Sequence, residues 1–174
     1  MINLAALMAL LNGKDKDRFE EIYHLYEKRL FAYSMKILNN ASLAEEAVSE
    51  TFFSFAKYYN KIYNLETPNL LAYLIIINRN ASFKIYNAEK GDKNILHDQF
   101  IEDKPELSYK QDKLIDLRQM LQELPGTYRD ILLLKYSYGF ETAEIAHMTS
   151  HTINQINYIL NKTKKLLNKE IIEE

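Results

Sequence analysis

The sequence contains no cysteine and only four glycines and three prolines among its 174 residues. Without cysteine the chain has neither a disulfide framework nor a thiolate nucleophile, which suits a reducing compartment. The scattered glycines form no phosphate-binding loop, and no Ser, His and Asp grouping of a hydrolase stands out. We therefore expect no catalytic residue and no cofactor, and we do not expect an enzyme.

Long hydrophobic runs are also missing. No uninterrupted apolar stretch, that from Leu70 to Ile77 included, is longer than eight residues, whereas a membrane-spanning helix needs about 20. The opening Met1-Ile2-Asn3-Leu4 lacks the basic flank of a signal peptide. We expect no membrane span and a cytoplasmic location.

An excess of basic charge is the third absence. The formal net charge is −2, and no long segment of the chain is strongly basic. A protein that holds DNA unaided normally carries a basic patch or stripe. If this chain contacts DNA, we expect a larger partner to supply most of the phosphate contacts.

The first half of the chain has the apolar spacing of packed helices. After a short helical turn in Leu4 to Leu11, a long amphipathic helix is predicted from Asp17 to Asn39-Asn40. Ser42 to Glu45 has the pattern of a capping box, and the helix that it opens has the core stripe Ala44, Val48, Phe52, Phe55 and Tyr59. Its opposite face carries Glu45, Glu46, Ser49, Glu50, Phe53 and Lys57.

A third helix is predicted from Pro68 to about Asn87, with Thr67 as its N-cap. It is apolar nearly all round from Leu70 to Ile77, so it should be central to the first domain. Its later part is expected to offer a mixed polar and cationic surface, made of Asn78, Arg79, Asn80, Ser82, Lys84 and Asn87.

Residues 88–113 have seven acidic and five basic side chains and no apolar period. This composition predicts a linker between two small helical domains. Helical pattern returns at Leu114, Leu117, Leu121 and Leu124. The sequence thus predicts an all-α protein with domains at 1–87 and 114–174.

The second domain is predicted to contain a helix-turn-helix. Leu124-Pro125-Gly126 should end one helix and Thr127 should cap the next, which Gly139 ends. A short helix carries Ala143, Ile145 and Ala146, and the polar run from Thr149 to Thr152 separates it from a long last helix capped by Thr152.

In that last helix Ile156, Ile159 or Leu160, Thr163 and Leu167 are expected to face inward. Amide side chains can pair with adenine and an exposed Ile can contact a thymine methyl group. The candidate DNA-binding residues are Asn154, Gln155, Asn157, Tyr158, Asn161, Lys162 and Lys165. The alternative is a three-helix packing unit whose last helix has a merely solvated face.

The order LP…R…LL.KY..GF…EIA, followed by a capped helix ending in TKKLL, resembles region 4 of bacterial sigma factors, especially the extracytoplasmic-function (ECF) group of the sigma-70 family. This resemblance implies contact with a minus-thirty-five promoter element. The chain departs from it at Thr149, Ser150 and His151, where the family has Leu, Gly and Ile. It departs also at Asn157, Ile159 and Asn161, where basic residues are common.

The segment SLAEEAVSETFFSF resembles the part of these sigma factors that docks on the clamp helices of the polymerase largest subunit. The resemblance assigns polymerase binding to Glu46, Glu50 and Phe53, with Ser49 in place of the usual Gln. A solvated acidic face is the alternative. In the second domain, Tyr136 is a further polymerase-binding candidate, at the flap tip, together with Leu132 and Leu133 if these are not core.

The segment LLAYLIIINRNASFKIYN resembles the family helix that, with the loop before it, opens the minus-ten element. Amide hydrogen bonds and tyrosine stacking suit an unstacked base. The candidate residues are Tyr59, Tyr63, Asn64, Arg79, Asn80 and Lys84. The alternative is a core helix with a polar end.

Metal binding is a minor hypothesis. Glu144, His147 and His151 would share a face if one helix ran through them, but the predicted turn at Thr149-Ser150 separates the two histidines. We expect no metal site.

The resemblance as a whole implies a sigma factor of the ECF type whose partners are core RNA polymerase and promoter DNA, with an anti-sigma factor as a further candidate. Two alternatives stay open. One is a sigma-like interaction module that has lost DNA reading, and the other is a stand-alone helix-turn-helix regulator.

Overall fold

The computed structural model describes residues 4–63, 67–90 and 124–172. These residues are helical, with no strand among them, which confirms the all-α prediction. They divide into two compact units, one on each side of the undescribed segment 91–123. The predicted helix from Leu114 to Leu124 and nearly all of the predicted linker lie outside the described residues, so the domain boundaries stay predictions.

The N-terminal unit is built on three long helices. Helix α2 spans Lys16–Leu38, α3 spans Ala41–Lys57 and α5 spans Thr67–Lys90. Two short helices accompany them, α1 at Leu4–Met8 and α4 at Tyr59–Ile62. A 3₁₀ turn at Gly13–Asp15 leads into α2. Helix α5 therefore runs three residues beyond its predicted end at Asn87.

The junction between α2 and α3 differs from the predicted capping. Asn39 adopts a left-handed conformation with φ 48° and ends α2, while the side chain of Asn40 accepts a hydrogen bond from the backbone N–H of Leu43. The predicted capping box from Ser42 to Glu45 is therefore wrong, because Ser42 already lies inside α3. Asn is one of the preferred N-cap residues, and the sequence offered two competing caps within three positions.

Aromatic side chains from α2 and α3 fill the core of this unit. The rings of Phe19 and Phe55 stack with centroids 5.3 Å apart, and Phe52 contacts Phe19 edge-on at 6.2 Å. All three rings are fully buried. Truncating one of them to Ala would remove about 3–5 kcal/mol of stability.

Helix α5 lies against both α2 and α3. Its apolar stretch is buried, as predicted for a central helix, with Leu70, Tyr73, Leu74 and Ile77 in the core. The predicted polar and cationic surface after Ile77 is wrong for most of its residues, because Asn78, Arg79, Asn80 and Ser82 are all buried.

Asn78 explains how a polar side chain enters this core. Its side-chain nitrogen donates to the carbonyl oxygen of Leu30 at 3.0 Å and to the Ser34 hydroxyl at 2.8 Å. Its side-chain oxygen accepts from the hydroxyl of Thr51 at 3.0 Å. These bonds tie α5 to α2 and α3 and satisfy a polar group whose burial would otherwise cost stability.

The C-terminal unit contains three described helices. Helix α6 spans Gly126–Leu132 and continues as a π-helical turn, Leu133–Ser137; α7 spans Thr142–Thr149 and α8 spans Ile153–Ile172. Pro125, not Thr127, is the N-cap of α6, and Gly126 is its first residue. The predicted roles of Gly126 and Thr127 are thus wrong, while Gly139 has the positive φ (69°) expected of a helix-ending glycine.

Buried apolar residues join these three helices. The fully buried residues come from each described helix of the unit, from the π-helical turn and from the loop between α6 and α7: Ile131, Leu134, Phe140, Ile145 and Ile156. The short α7 and the long α8 meet at the turn Ser150 to Thr152, as predicted for a helix-turn-helix. No helix among the described residues is long and apolar enough to cross a membrane.

Candidate nucleic-acid interface

Helix α8 has one buried face and one polar face. Ile156, Ile159 and Thr163 are buried against the unit. The predicted DNA-binding side chains all lie at the surface: Asn154, Gln155, Asn157, Tyr158, Asn161, Lys162 and Lys165. The expected orientation of the helix is therefore confirmed, and DNA contact by these residues stays a prediction.

Gln155 has a structural role at the start of α8. Its side-chain oxygen accepts from the backbone N–H of Thr152 at 2.8 Å, and its own backbone N–H donates to the Thr152 hydroxyl at 3.2 Å. This reciprocal capping box confirms Thr152 as the N-cap. Bidentate pairing with adenine needs the amide oxygen as acceptor, so Gln155 would have to give up the cap to read a base.

Lys162 is held between two aromatic rings. Its ammonium lies 5.5 Å from the centroid of the Tyr128 ring and 5.7 Å from that of Tyr158. A hydrogen bond with Tyr128 is the main reason that the pKa of Lys162 is raised, and attraction to Tyr128 and Tyr158 adds to it. Lysine is cationic at neutral pH with or without this shift, so Lys162 has the charge that a phosphate contact requires.

The turn of the helix-turn-helix is left-handed at Ser150. This residue has φ 56° and ends α7, and the Nδ1 atom of His151 lies 2.7 Å from the carbonyl oxygen of Thr149. At the start of α7 the backbone N–H of Glu141 donates to the Glu144 carboxylate at 2.8 Å. The turn separates His147 from His151, and the described residues contain no cluster of His, Asp or Glu fit to hold a metal ion.

Three of the predicted minus-ten residues are buried, which corrects the expectation that they form a surface. Tyr59 is 2% exposed within the aromatic core, Arg79 is 1% exposed and Asn80 is 4% exposed. The side chain of Asn80 donates to the carbonyl oxygen of Ile76 at 2.8 Å. None of the three can contact DNA in this conformation.

Burial also changes the acid–base properties of two of these groups. Desolvation is the main reason that the pKa of the Tyr59 phenol is raised, so the ring stays neutral. Desolvation lowers the pKa of Arg79, and a hydrogen bond and electrostatic contact with Tyr33 oppose that shift. Arg79 is thus a core residue that Tyr33 helps to keep charged.

The other minus-ten candidates remain available. Tyr63 is exposed and stacks on Tyr59 with ring centroids 5.8 Å apart. Lys84 is exposed on α5, where its ammonium bonds both carboxylate oxygens of Glu50 at 3.1 Å. Asn64 lies outside the described residues. Tyr63 and Lys84 therefore carry the minus-ten hypothesis among the described residues.

The predicted polymerase-binding residues of α3 form an acidic and aromatic face, as the helical spacing indicated. Glu46 is exposed, Glu50 is partly exposed and Phe53 is 51% exposed. Phe53 also lines a cleft of about 210 Å³ with the exposed Leu10 of the N-terminal segment. An exposed aromatic ring is the residue type that interfaces are enriched in, whereas exposed carboxylates alone are ordinary surface.

Tyr136 is the corresponding candidate in the C-terminal unit. It is 69% exposed on the π-helical turn, where the i to i−5 bond from Tyr138 to Leu133 measures 3.0 Å. The neighbouring Leu132 and Leu133 are buried, which favours core packing over polymerase contact for these two. Of these three residues, Tyr136 is therefore the one whose side chain is exposed to a partner.

Sequence reasoning missed two side chains that position the site. Tyr128 of α6 is not among the predicted site residues, yet its ring lies 5.5 Å from the Lys162 ammonium. Its spacing gave no signal for this contact, because the two residues come from different helices. Ile153 is the other, an exposed apolar residue at the first position of α8. The sequence signal that could have identified Ile153 is its position directly after the predicted N-cap, Thr152.

The fold and the exposed face of α8 together define a helix-turn-helix unit. Residues 114–167 match the family model described as sigma-70, region 4. The match covers about a third of the chain, and the region that the family model describes is a non-enzymatic DNA-binding domain of transcription factors. A search of curated proteins found no match to the chain.

Proposed function

We propose that this protein is a sigma factor of the ECF group, which binds core RNA polymerase in the cytoplasm and directs it to specific promoters. Residues 1–87 would dock on polymerase and contact the minus-ten element, and residues 114–174 would contact the minus-thirty-five element across the linker 88–113. The observation that carries the proposal is the match of residues 114–167 to sigma-70, region 4. The protein would contribute no catalytic residue.

The acidic and aromatic face of α3 supports the polymerase part of the proposal. Glu46, Glu50 and Phe53 lie on the side of α3 away from the buried Phe52 and Phe55. A stand-alone regulator would have no use for such a face. Carboxylates can pair with basic side chains of a partner, and a half-exposed ring gives such an interface an apolar centre.

The charge balance supports a function that depends on a partner. With a net charge of −2, non-specific attraction to DNA is weak, because that attraction grows with the number of phosphates neutralised. The lysines at the surface of α8 supply a few such contacts. Polymerase would supply the rest, and the sigma factor would supply selectivity.

One observation favours a second candidate function. Tyr59, Arg79 and Asn80 are buried, which removes half of the residues assigned to the minus-ten element. A sigma-like module that binds polymerase without opening promoters would tolerate this loss. A protein of that kind would still retain the α3 face.

Transcription with purified core polymerase separates these functions. The sigma hypothesis predicts a stable complex with core polymerase and new transcripts from a library of promoter fragments when the full chain is added. A complex that yields no transcript from any fragment would favour the interaction module. DNA retention by the chain with no polymerase complex would favour a stand-alone regulator.

A further inference from the structure

The exposed face of α8 has a stripe of asparagines in its first turns, with lysines beside and beyond it. At about 100° per residue, Asn154, Asn157 and Asn161 project opposite the buried Ile156, Ile159 and Thr163. Lys165 continues this amide stripe one turn after Asn161, Lys162 lies to one side of it beyond Tyr158, and Lys164 lies to the other side. This order suits a helix in a groove, because the central side chains face base edges and the outer ones face the two phosphate backbones.

The residue types in the stripe limit which bases they can recognise. Helix α8 contains no arginine, and its first lysine is Lys162, so its first two turns offer no cation for the bidentate contact with guanine. Asparagine instead matches the donor and acceptor pair on adenine. The stripe from Asn154 to Asn161 spans about 10 Å of helix, which corresponds to about three base pairs.

Ile153 adds an apolar contact at the end of the helix that enters the groove first. It is 51% exposed, although it directly follows the Thr152 cap. An exposed aliphatic group at this position matches the methyl group that distinguishes thymine in the major groove. The first two turns of α8 therefore carry an apolar side chain suited to thymine, Ile153, and two amides suited to adenine, Asn154 and Asn157.

We propose that the upstream promoter element of this protein is read as a short run of A·T base pairs, with Ile153 contacting a thymine methyl group and Asn154 and Asn157 contacting adenines. This inference rests on the proposed function for the location of the site. It goes beyond that function in naming the bases and in adding Ile153 as a specificity residue.

Selection from duplex DNA with a randomised upstream element tests the base preference. The full chain is used with and without core polymerase, and bound DNA is sequenced. Enrichment of adjacent A·T pairs supports the inference. Enrichment of guanine at the selected positions, or of no sequence in either arm, overturns it. A·T enrichment without any polymerase complex would support the base preference while contradicting the sigma function.

Two variants assign the contacts, and circular dichroism checks that both keep the fold. Asn154→Arg should exchange adenine for guanine at one position, with a preference of about tenfold or more. Replacing one thymine by uracil removes only a methyl group and should weaken binding of the unaltered protein about fourfold. The same replacement should not change binding of the Ile153→Ala protein, which already lacks the contact. An unchanged preference in Asn154→Arg, or equal uracil effects in both proteins, would overturn the assignment.

Discussion

The ammonium of Lys84 lies 3.1 Å from both carboxylate oxygens of Glu50, which joins α5 to α3 at the surface of the N-terminal unit. Glu50 belongs to the proposed polymerase-docking face, and Lys84 is one of two described residues left to contact the minus-ten element. Both side chains are substantially exposed, so the pair contributes at most about 1 kcal/mol. A basic partner that engages Glu50 therefore competes with Lys84 at little cost.

This ion pair supplies a matched test of the docking face. Glu50→Gln and Lys84→Met both break the pair, but only Glu50→Gln removes the carboxylate. We expect Glu50→Gln to weaken binding to core polymerase about tenfold, as loss of a charge-assisted hydrogen bond would. Lys84→Met removes the competing ammonium and should leave binding unchanged or strengthen it by up to about fivefold. Binding titrations with labelled protein measure both. Equal affinities for the two variants would remove Glu50 from the interface.

Lys162→Ala tests the proposed phosphate contact of α8. We expect the complex with polymerase to lose DNA affinity by a similar factor for every promoter sequence. The slope of the logarithm of the binding constant against the logarithm of salt concentration should become shallower by about one unit. Lys28→Ala, an exposed lysine of α2, is the control and should change neither. An effect confined to one base position would show that Lys162 reads a base instead.

Tyr59→Phe tests whether this residue is core or interface. The Tyr59 hydroxyl is buried and has no hydrogen-bond partner among the described residues, so its removal should leave stability unchanged or raise it by about 1 kcal/mol. Promoter opening should be unaffected. Chemical denaturation and permanganate footprinting check the two expectations. Loss of promoter opening in a stably folded Tyr59→Phe protein would contradict the core assignment and support contact between Tyr59 and the minus-ten element.

Ser150→Gly tests the strain in the helix-turn-helix. Because Ser150 has φ 56°, glycine should fit its backbone better and stabilise the C-terminal unit by about 1 kcal/mol. Ser42→Gly, placed in the first turn of α3, should instead destabilise by about 0.5–1 kcal/mol. Thermal unfolding of both variants measures this difference. A lower stability for Ser150→Gly would contradict the left-handed turn.

Helical periodicity predicted the faces of the long helices well. The stripe of Phe52 and Phe55 is buried and the stripe of Glu46 and Phe53 is exposed, because spacing alone determines which residues share a face. The orientation of α8 follows for the same reason. Helix starts were less predictable, because Asn40 and Ser42, or Pro125 and Thr127, are both plausible caps and only the packed structure selects one.

Buried polar residues were the part that periodicity could not predict. Asn78, Arg79 and Asn80 have the composition of a surface, but they follow an apolar stretch in a helix that two other helices cover. Partners distant in sequence compensate the burial of Asn78, through Ser34 and Thr51. The partner of Lys162, Tyr128, likewise comes from another helix. Contacts of this kind depend on tertiary structure, so local sequence patterns do not predict them.

Binding of the purified chain to core RNA polymerase, followed by run-off transcription from promoter fragments, tests the central claim most directly. We expect a stable complex and transcripts that start only when both the chain and an accepted promoter are present. Absence of any complex, even at low ionic strength, would contradict the account.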